Sequence, residues 1–319
     1  MRQRSLREAW FSPLGLALRL RTDHPAVVAT AMEAFGGFGI PGIPGIREPA
    51  PGAPDLDFLF LARHGKDRER ETLYRDTGGR VQLCFGGSLL AVDRARGRAR
   101  ARLSPGLLTQ PALLRLEVLE LALQLMLPAR GFFGVHGAAV VRHGRAALLR
   151  APGGGGKTTL ALAAARGGFQ VLAEDVVWIA PDRRTWWGLP WWLHPRPESV
   201  ALFPELVKYS PALWRSGGPK LAVPFEALHP GSTVPRALPG PVVLLERVPE
   251  GPRHLSPLSL AEARSLWRLG RAGTEEEVPN YEQEVSNLLR DNAWRLAIAD
   301  LPSALAALDR LLQAGPPKP

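Results

Sequence analysis

Residues 149–159, Leu-Arg-Ala-Pro-Gly-Gly-Gly-Gly-Lys-Thr-Thr, set four glycines, a lysine and two hydroxyls between an apolar stretch and a helix-forming one. That set of groups suits a polyphosphate. Gly153, Gly154, Gly155 and Gly156 let the backbone turn its N–H groups inward, a path that side chains would obstruct. Lys157 can reach the β- and γ-phosphates, and the Thr158 hydroxyl is placed to ligate Mg²⁺. Thr159 follows it into the helix, whose positive dipole end faces the same anion. The first glycine of the G-x-x-x-x-G-K-[ST] pattern is here Ala151, small enough to keep the turn. A strand, a glycine loop, a lysine, a hydroxyl and a helix in this order imply a nucleotide site taking ATP and Mg²⁺.

A phosphate loop serves kinases, switches and motors alike, so the neighbouring residues must discriminate. Glu174 and Asp175 close the apolar segment Phe169-Gln170-Val171-Leu172-Ala173. A carboxylate mounted there can help hold Mg²⁺ or accept a proton from an attacking hydroxyl. Acid pairs also occur in ordinary turns. His136 lies on an apolar strand, where a core histidine bonded to backbone is the alternative to a site residue. His143, in the tight turn His143-Gly144, reads as a turn residue alone.

The stretch from His136 to Ile179 resembles the catalytic core of the HPr serine kinase/phosphorylase family. The resemblance rests on four ordered elements: His136-Gly137, the loop 153–158, Arg166-Gly167 and Glu174-Asp175. It covers about 45 residues closely. It implies catalytic roles for Lys157, for Asp175 as general base on a serine-type hydroxyl, and for His136 beside it. It also implies that Thr158, Glu174 and Asp175 hold the metal. The first acid is Glu174 where the family has Asp, and Thr158 stands where serine is usual. The family's downstream glutamate segment is missing, with Glu198 and Glu205 as candidate replacements. The chain is therefore more similar to stand-alone members of the family, and phosphorylase activity is not implied.

These residues need an α/β frame. Two domains are expected: a smaller, strand-rich α/β domain over 1–105, and a mixed-sheet phosphate-loop kinase core over 106–319. Within the first, a helix capped near Asp23-His24-Pro25 precedes strands at 57–62, 81–85, 89–92 and an arginine-rich segment. Residues 36–54 are rich in Gly and Pro and read as a loop, with a lid over the cleft left open. A long helix is expected over 111–127, strands at 135–141, 146–149, 169–173, 176–179 and 241–248, and helices near 259–270, 281–297 and 302–313. Residues 274–277, Thr-Glu-Glu-Glu, read as an acidic connector. Four tryptophans between Trp186 and Trp192 form either core or a wall for an adenine ring or a peptide. Lys220 is a candidate to reach phosphate from the far side.

The apolar fraction of 45% supports a packed core and excludes overall disorder. No membrane-length apolar run and no leader-like N-terminus is present, and Cys84 stands alone, so a cytoplasmic protein is expected. The formal charge of +10 is mostly arginine, densest over residues 94–102, where Arg recurs at every second place. Such a segment reads as a solvated edge strand that discourages pairing, with an anion-binding strip as the alternative. No aromatic platform accompanies it, which argues against nucleic acid as a partner. The expected function is Mg-ATP-dependent phosphorylation of a hydroxyl, serine of a protein or peptide first. Free serine or another small molecule, and an ATP-sensing protein without transfer, are the alternatives. A homo-oligomer is left open.

Overall fold

The computed structural model describes residues 5–38, 53–63, 73–212, 218–248, 255–270 and 280–314. Most of the Gly/Pro-rich loop, the acidic connector at 274–277 and Gly217 lie outside the described residues. The chain divides into two compact units, Met1–Gly131 and Phe132–Pro319. Residues 106–131, assigned from the sequence to the second domain, thus fall with the first.

In the first unit β1 (Arg7–Phe11), β2 (Leu18–Thr22), α1 (Pro25–Phe35), β3 (Leu56–Ala62), β4 (Leu73–Asp76), β5 (Arg80–Phe85), β6 (Ser88–Asp93) and β7 (Arg98–Leu103) follow one another. The strands form one sheet in the order β1-β2-β3-β7-β6-β5-β4. Strict alternation explains why it has one buried face: Val81, Leu83 and Phe85 point inward on β5, Ala99, Ala101 and Leu103 on β7. The short helix α2 (Pro105–Leu108) leads into a helical run: α3 (Pro111–Leu114), a wider π turn at Arg115–Glu120, and α4 (Leu121–Met126). The buried Arg115–Glu120 ion pair, 2.8 Å long, bridges that turn. His24 caps α1, its Nδ1 accepting from the Ala26 amide, while Asp23 instead accepts from Ala62.

The arginine segment needs correcting on two points. Arg94 and Arg96 belong to the turn between β6 and β7, so only Arg98, Arg100 and Arg102 share an extended face. β7 is moreover an interior strand, paired with β3 on one side and β6 on the other. Edge protection therefore does not account for it. Charge compensation accounts for part: buried Asp57 on β3 accepts hydrogen bonds from Arg19, Arg21 and Arg100 at 3.0–3.2 Å. Burial would raise its pKa, but these guanidinium groups hold it below the usual carboxylate value.

The second unit begins with β8 (Phe133–His136), β9 (Ala138–Arg142), β10 (Arg145–Arg150), α5 (Lys157–Arg166), β11 (Gln170–Ala173) and β12 (Val176–Ile179). The short pieces β13 (Trp186–Trp187), β14 (Trp192–Leu193), β15 (Pro211–Ala212), β16 (Lys220–Leu221), β17 (Val223–Pro224), α6 (Phe225–Leu228) and β18 (Arg236–Ala237) follow. It ends with β19 (Val242–Arg247), β20 (Leu255–Pro257), α7 (Leu260–Leu269), α8 (Tyr281–Leu289), β21 (Ala293–Ile298) and α9 (Leu301–Gln313). The helix expected over 281–297 is thus cut short. Asp291 takes a left-handed φ of 54°, and Ala293–Ile298 becomes a strand beside β19.

A six-stranded mixed sheet, β11-β9-β10-β19-β21-β20, is the core of this unit; β10, β19 and β21 run parallel. One face packs on α5 through Leu160, on α9 through Leu308 and on the segment that carries Phe203, the other on α7, α8 and a second sheet, β18-β13-β12-β8. That sandwiching explains why the middle of β10 is an unbroken apolar run. Trp186 is a core residue, 1% exposed, whereas Trp187 lies under the Arg236 guanidinium.

Gly188 follows β13, and a Cβ there would stand 1.7 Å from the Leu172 carbonyl oxygen, which is backbone and cannot turn away. Gly188→Ala is expected to cost about 3 kcal/mol through forced overpacking. Urea unfolding should show a lower midpoint at unchanged slope; an unchanged midpoint would mean the two segments separate freely.

Candidate functional site

The chain passes between the six- and four-stranded sheets of the second unit at two places. β8 and β9 are separated only by Gly137, where the chain passes from the four-stranded sheet to the six-stranded one. β11 and β12 are separated only by Glu174 and Asp175, where it passes back. The two crossings lie side by side: His136 pairs with Val176, and the Gly137 amide donates to the Asp175 carbonyl at 2.8 Å. A Cβ on Gly137 would sit 2.8 Å from the Leu149 carbonyl, so only glycine allows β10 to lie this near. His136 and Asp175 are brought together by that divergence, with Nδ1 3.2 Å from the carboxylate.

The glycine loop leaves the carboxyl end of β10. Gly154 and Gly156 take φ of 79° and 95°, the left-handed conformations that L side chains rarely adopt. Gly155 is required for a different reason, since its Cβ would meet that of Ala151 at 2.5 Å. The loop opens α5 at Lys157, whose buried ammonium turns back to donate to the carbonyl oxygens of Ala151 at 2.9 Å and Pro152 at 3.5 Å. Burial lowers its pKa; Asp175 and Glu174 pull it back up, while Arg150 and Lys220 push it down.

Thr158 points at the acid pair. Its hydroxyl donates to Glu174 Oε1 at 2.5 Å, and the other carboxylate oxygen lies 3.4 Å from Nδ1 of His194. Glu174 is buried, while the Asp175 side chain remains 63% exposed. Crowding at Asp175 works to raise its pKa. The hydrogen bond and charge of His136, with the charges of Lys220 and His194, outweigh that and hold it below the ordinary value. Asp175 is therefore ionised at any pH above the normal carboxylate range.

Five of the residues singled out from the sequence thus gather on one side of the loop: His136, Lys157, Thr158, Glu174 and Asp175. Lys220 acts on the same site through its charge. Thr159 faces another cavity. Glu205 instead pairs with Arg166 at 3.5 Å at the far end of α5, and Glu198 is exposed, so neither joins the acid pair. His143 has a left-handed φ of 54° and pairs with Asp309. Three participants were missed. His194 carried the signal of an imidazole among tryptophans. Arg150, stacked 3.9 Å from the Trp267 ring and donating to the His136 carbonyl, looked like a strand residue. Arg247, at the end of β19, lies so that a Cβ on Gly156 would be 3.5 Å from its Nε.

Among the described residues no cluster of three His, Cys, Asp or Glu stands ready to hold a metal, and no helix is long and apolar enough to cross a membrane. A magnesium ion fits this site nonetheless. Thr158 Oγ1 and Glu174 Oε1 are hard oxygen donors already side by side, and phosphate oxygens and water commonly complete such a shell.

Geometry predicts a pH effect. In His136→Ala the Asp175 carboxyl loses the hydrogen bond that depresses its pKa, so that pKa rises. The acid limb of any activity that needs the carboxylate should move to higher pH, and the rate should fall about ten- to hundredfold from lost positioning. A pH–rate profile checks this; an unmoved acid limb would detach His136 from Asp175.

No family model matches the chain, and no curated protein matches it. Among solved structures, it is similar to the HPr(Ser) kinase/phosphatase from Coxiella burnetii. That similarity covers 57% of this chain and 88% of the other, at 13% identity and a TM-score of 0.29. So loose a superposition does not define the fold, and the site stands on its own geometry.

Proposed function

We propose that this protein is a Mg-ATP-dependent kinase that moves the γ-phosphate to a hydroxyl, serine of a protein or peptide first. The single observation that carries the reading is the convergence of Thr158, Glu174, Asp175 and His136 around a glycine loop with Lys157 at its helix start. The α/β frame is read as a phosphate-loop kinase core of the HPr-kinase type. ATP would supply the phosphoryl group, and a Mg²⁺ ion held by Thr158 and Glu174 would neutralise charge on its phosphates.

In this reading the loop amides of residues 153–158 bind the phosphates. Lys157 gives up its contacts to Ala151 and Pro152 and turns its ammonium to the β- and γ-oxygens, which restore the charge that burial disfavours. Thr158 and Glu174 hold the metal through their oxygens. Asp175, ionised and with an open edge, takes the proton from the acceptor hydroxyl, while His136 fixes its orientation. Transfer through a loose transition state asks chiefly for such positioning and charge neutralisation.

The test offers the purified protein Mg-ATP with a serine-containing protein, a serine peptide and free serine, and reads phosphoserine by mass spectrometry. Phosphoserine on any of them supports the kinase and names its acceptor class. ATP that binds without transfer to any acceptor, a source-cell lysate included, would shift the reading to nucleotide sensing.

A further inference from the structure

If the loop holds a triphosphate as proposed, the nucleoside end must lie away from the acid pair. Thr158, Glu174, Asp175 and His136 mark the γ-phosphate side. Thr159 is the next residue of α5, turned about 100° around the helix, and it borders a separate cavity of about 670 Å³. That cavity opens where β19 and β21 end, with Arg247 and Val248 contributed by one, Ile298 and Ala299 by the other, and Asp300 and Pro302 by the start of α9. β10, β19 and β21 are parallel, and crevices beyond the carboxyl ends of parallel strands are where ligands of α/β sheets settle.

We infer that this cavity is the nucleoside subsite, receiving the base and sugar of the bound nucleotide. Val248, Ile298 and Pro302 give it apolar walls for a base. Asp300, the N-cap of α9 with its Oδ1 accepting from the Ser303 amide at 2.8 Å, fixes the start of that helix at the edge of the cavity. Arg247 stands between the cavity and the loop, beside Gly156, where its exposed guanidinium meets the phosphate nearest the sugar. A smaller cavity of about 350 Å³ lies against Arg150, residues 151–155, residues 244–247, Leu266 and Leu269, so that Arg247 edges both cavities. It borders the start of the loop rather than Thr159, and is the wrong end for the sugar.

Calorimetric titration with Mg-ATP and with magnesium tripolyphosphate separates the nucleoside end from the phosphates. Ala299→Trp fills the larger cavity, and Arg247→Gln removes the bridging charge without entering the core. The first should weaken ATP roughly tenfold or more and leave tripolyphosphate unchanged. Arg247→Gln should weaken ATP roughly fivefold or more. Unchanged tripolyphosphate binding also shows that Ala299→Trp is folded. Wild type that binds both ligands, with ATP unaffected by Ala299→Trp, would overturn this inference alone, whatever Arg247→Gln does, because Arg247 edges both cavities. Loss of ATP in Leu269→Trp instead would move the nucleoside to the smaller cavity and overturn it as well. Wild type that binds neither ligand would overturn the phosphate-loop reading and this inference with it.

Discussion

Asp175→Asn is expected to lower phosphate transfer by about 10²- to 10⁴-fold while leaving Mg-ATP affinity within about threefold. The substitution keeps the shape of the side chain and removes its charge and basicity. The Gly137 amide bonds to the backbone carbonyl of this residue, so the crossing between the sheets survives the change. His136 keeps a hydrogen-bonding partner at 3.2 Å, and Thr158 keeps Glu174. What is lost is the base that receives the hydroxyl proton. Rapid-quench measurement of transfer beside a binding titration reads the two effects separately. A fully active variant would rule Asp175 out as the base.

Lys157→Ala is expected to abolish the thermal stabilisation that nucleotide gives. A ligand at a hundred times its dissociation constant stabilises by about 2.7 kcal/mol, a shift of several degrees for a unit of this size. Lys157 is the loop's own ammonium; burial depresses its pKa, and phosphate oxygens would give it a negatively charged partner in place of two neutral carbonyls. Without ligand the variant loses hydrogen bonds to two loop carbonyls and the attraction of Asp175 and Glu174, but it also sheds the cost of burying an ammonium, so its own melting temperature should change little. A nucleotide-induced shift as large as that of the wild type would sink the loop assignment.

Much of this site was legible in the sequence because its signals are local. Glycines before a lysine and a hydroxyl can be read from one stretch, since the loop is one stretch. Glu174 and Asp175 were legible as the end of an apolar run, and His136 as part of an ordered resemblance. Their meeting was not legible, because it depends on the chain changing sheets at Gly137 and again at Glu174-Asp175. His194 and Arg247 arrive from pieces of chain distant in sequence, and a lone His or Arg carries no period or spacing.

The fold followed the same division. Alternation gave β7 and a cap gave α1, whereas the Asp300 cap of α9, accepting from Ser303, is seen only in the structure. The segment 293–298 was misread because Trp, Arg, Leu, Ala and Ile suit a helix as well as a buried strand. Pairing with β19 decided it, and pairing is not local. The arginines of β7 misled for a related reason. Charges on alternate residues describe one face of a strand but not whether neighbours flank it, and here β3 and β6 do.

The measurement that bears most directly on the central claim is transfer of label from γ-labelled ATP into a lysate of the source cell, separated by size, with wild type beside Asp175→Asn. The account predicts label in one size fraction with wild type and none above background with the variant. Label that is equal with both proteins, or absent with wild type although Mg-ATP binds, would contradict it.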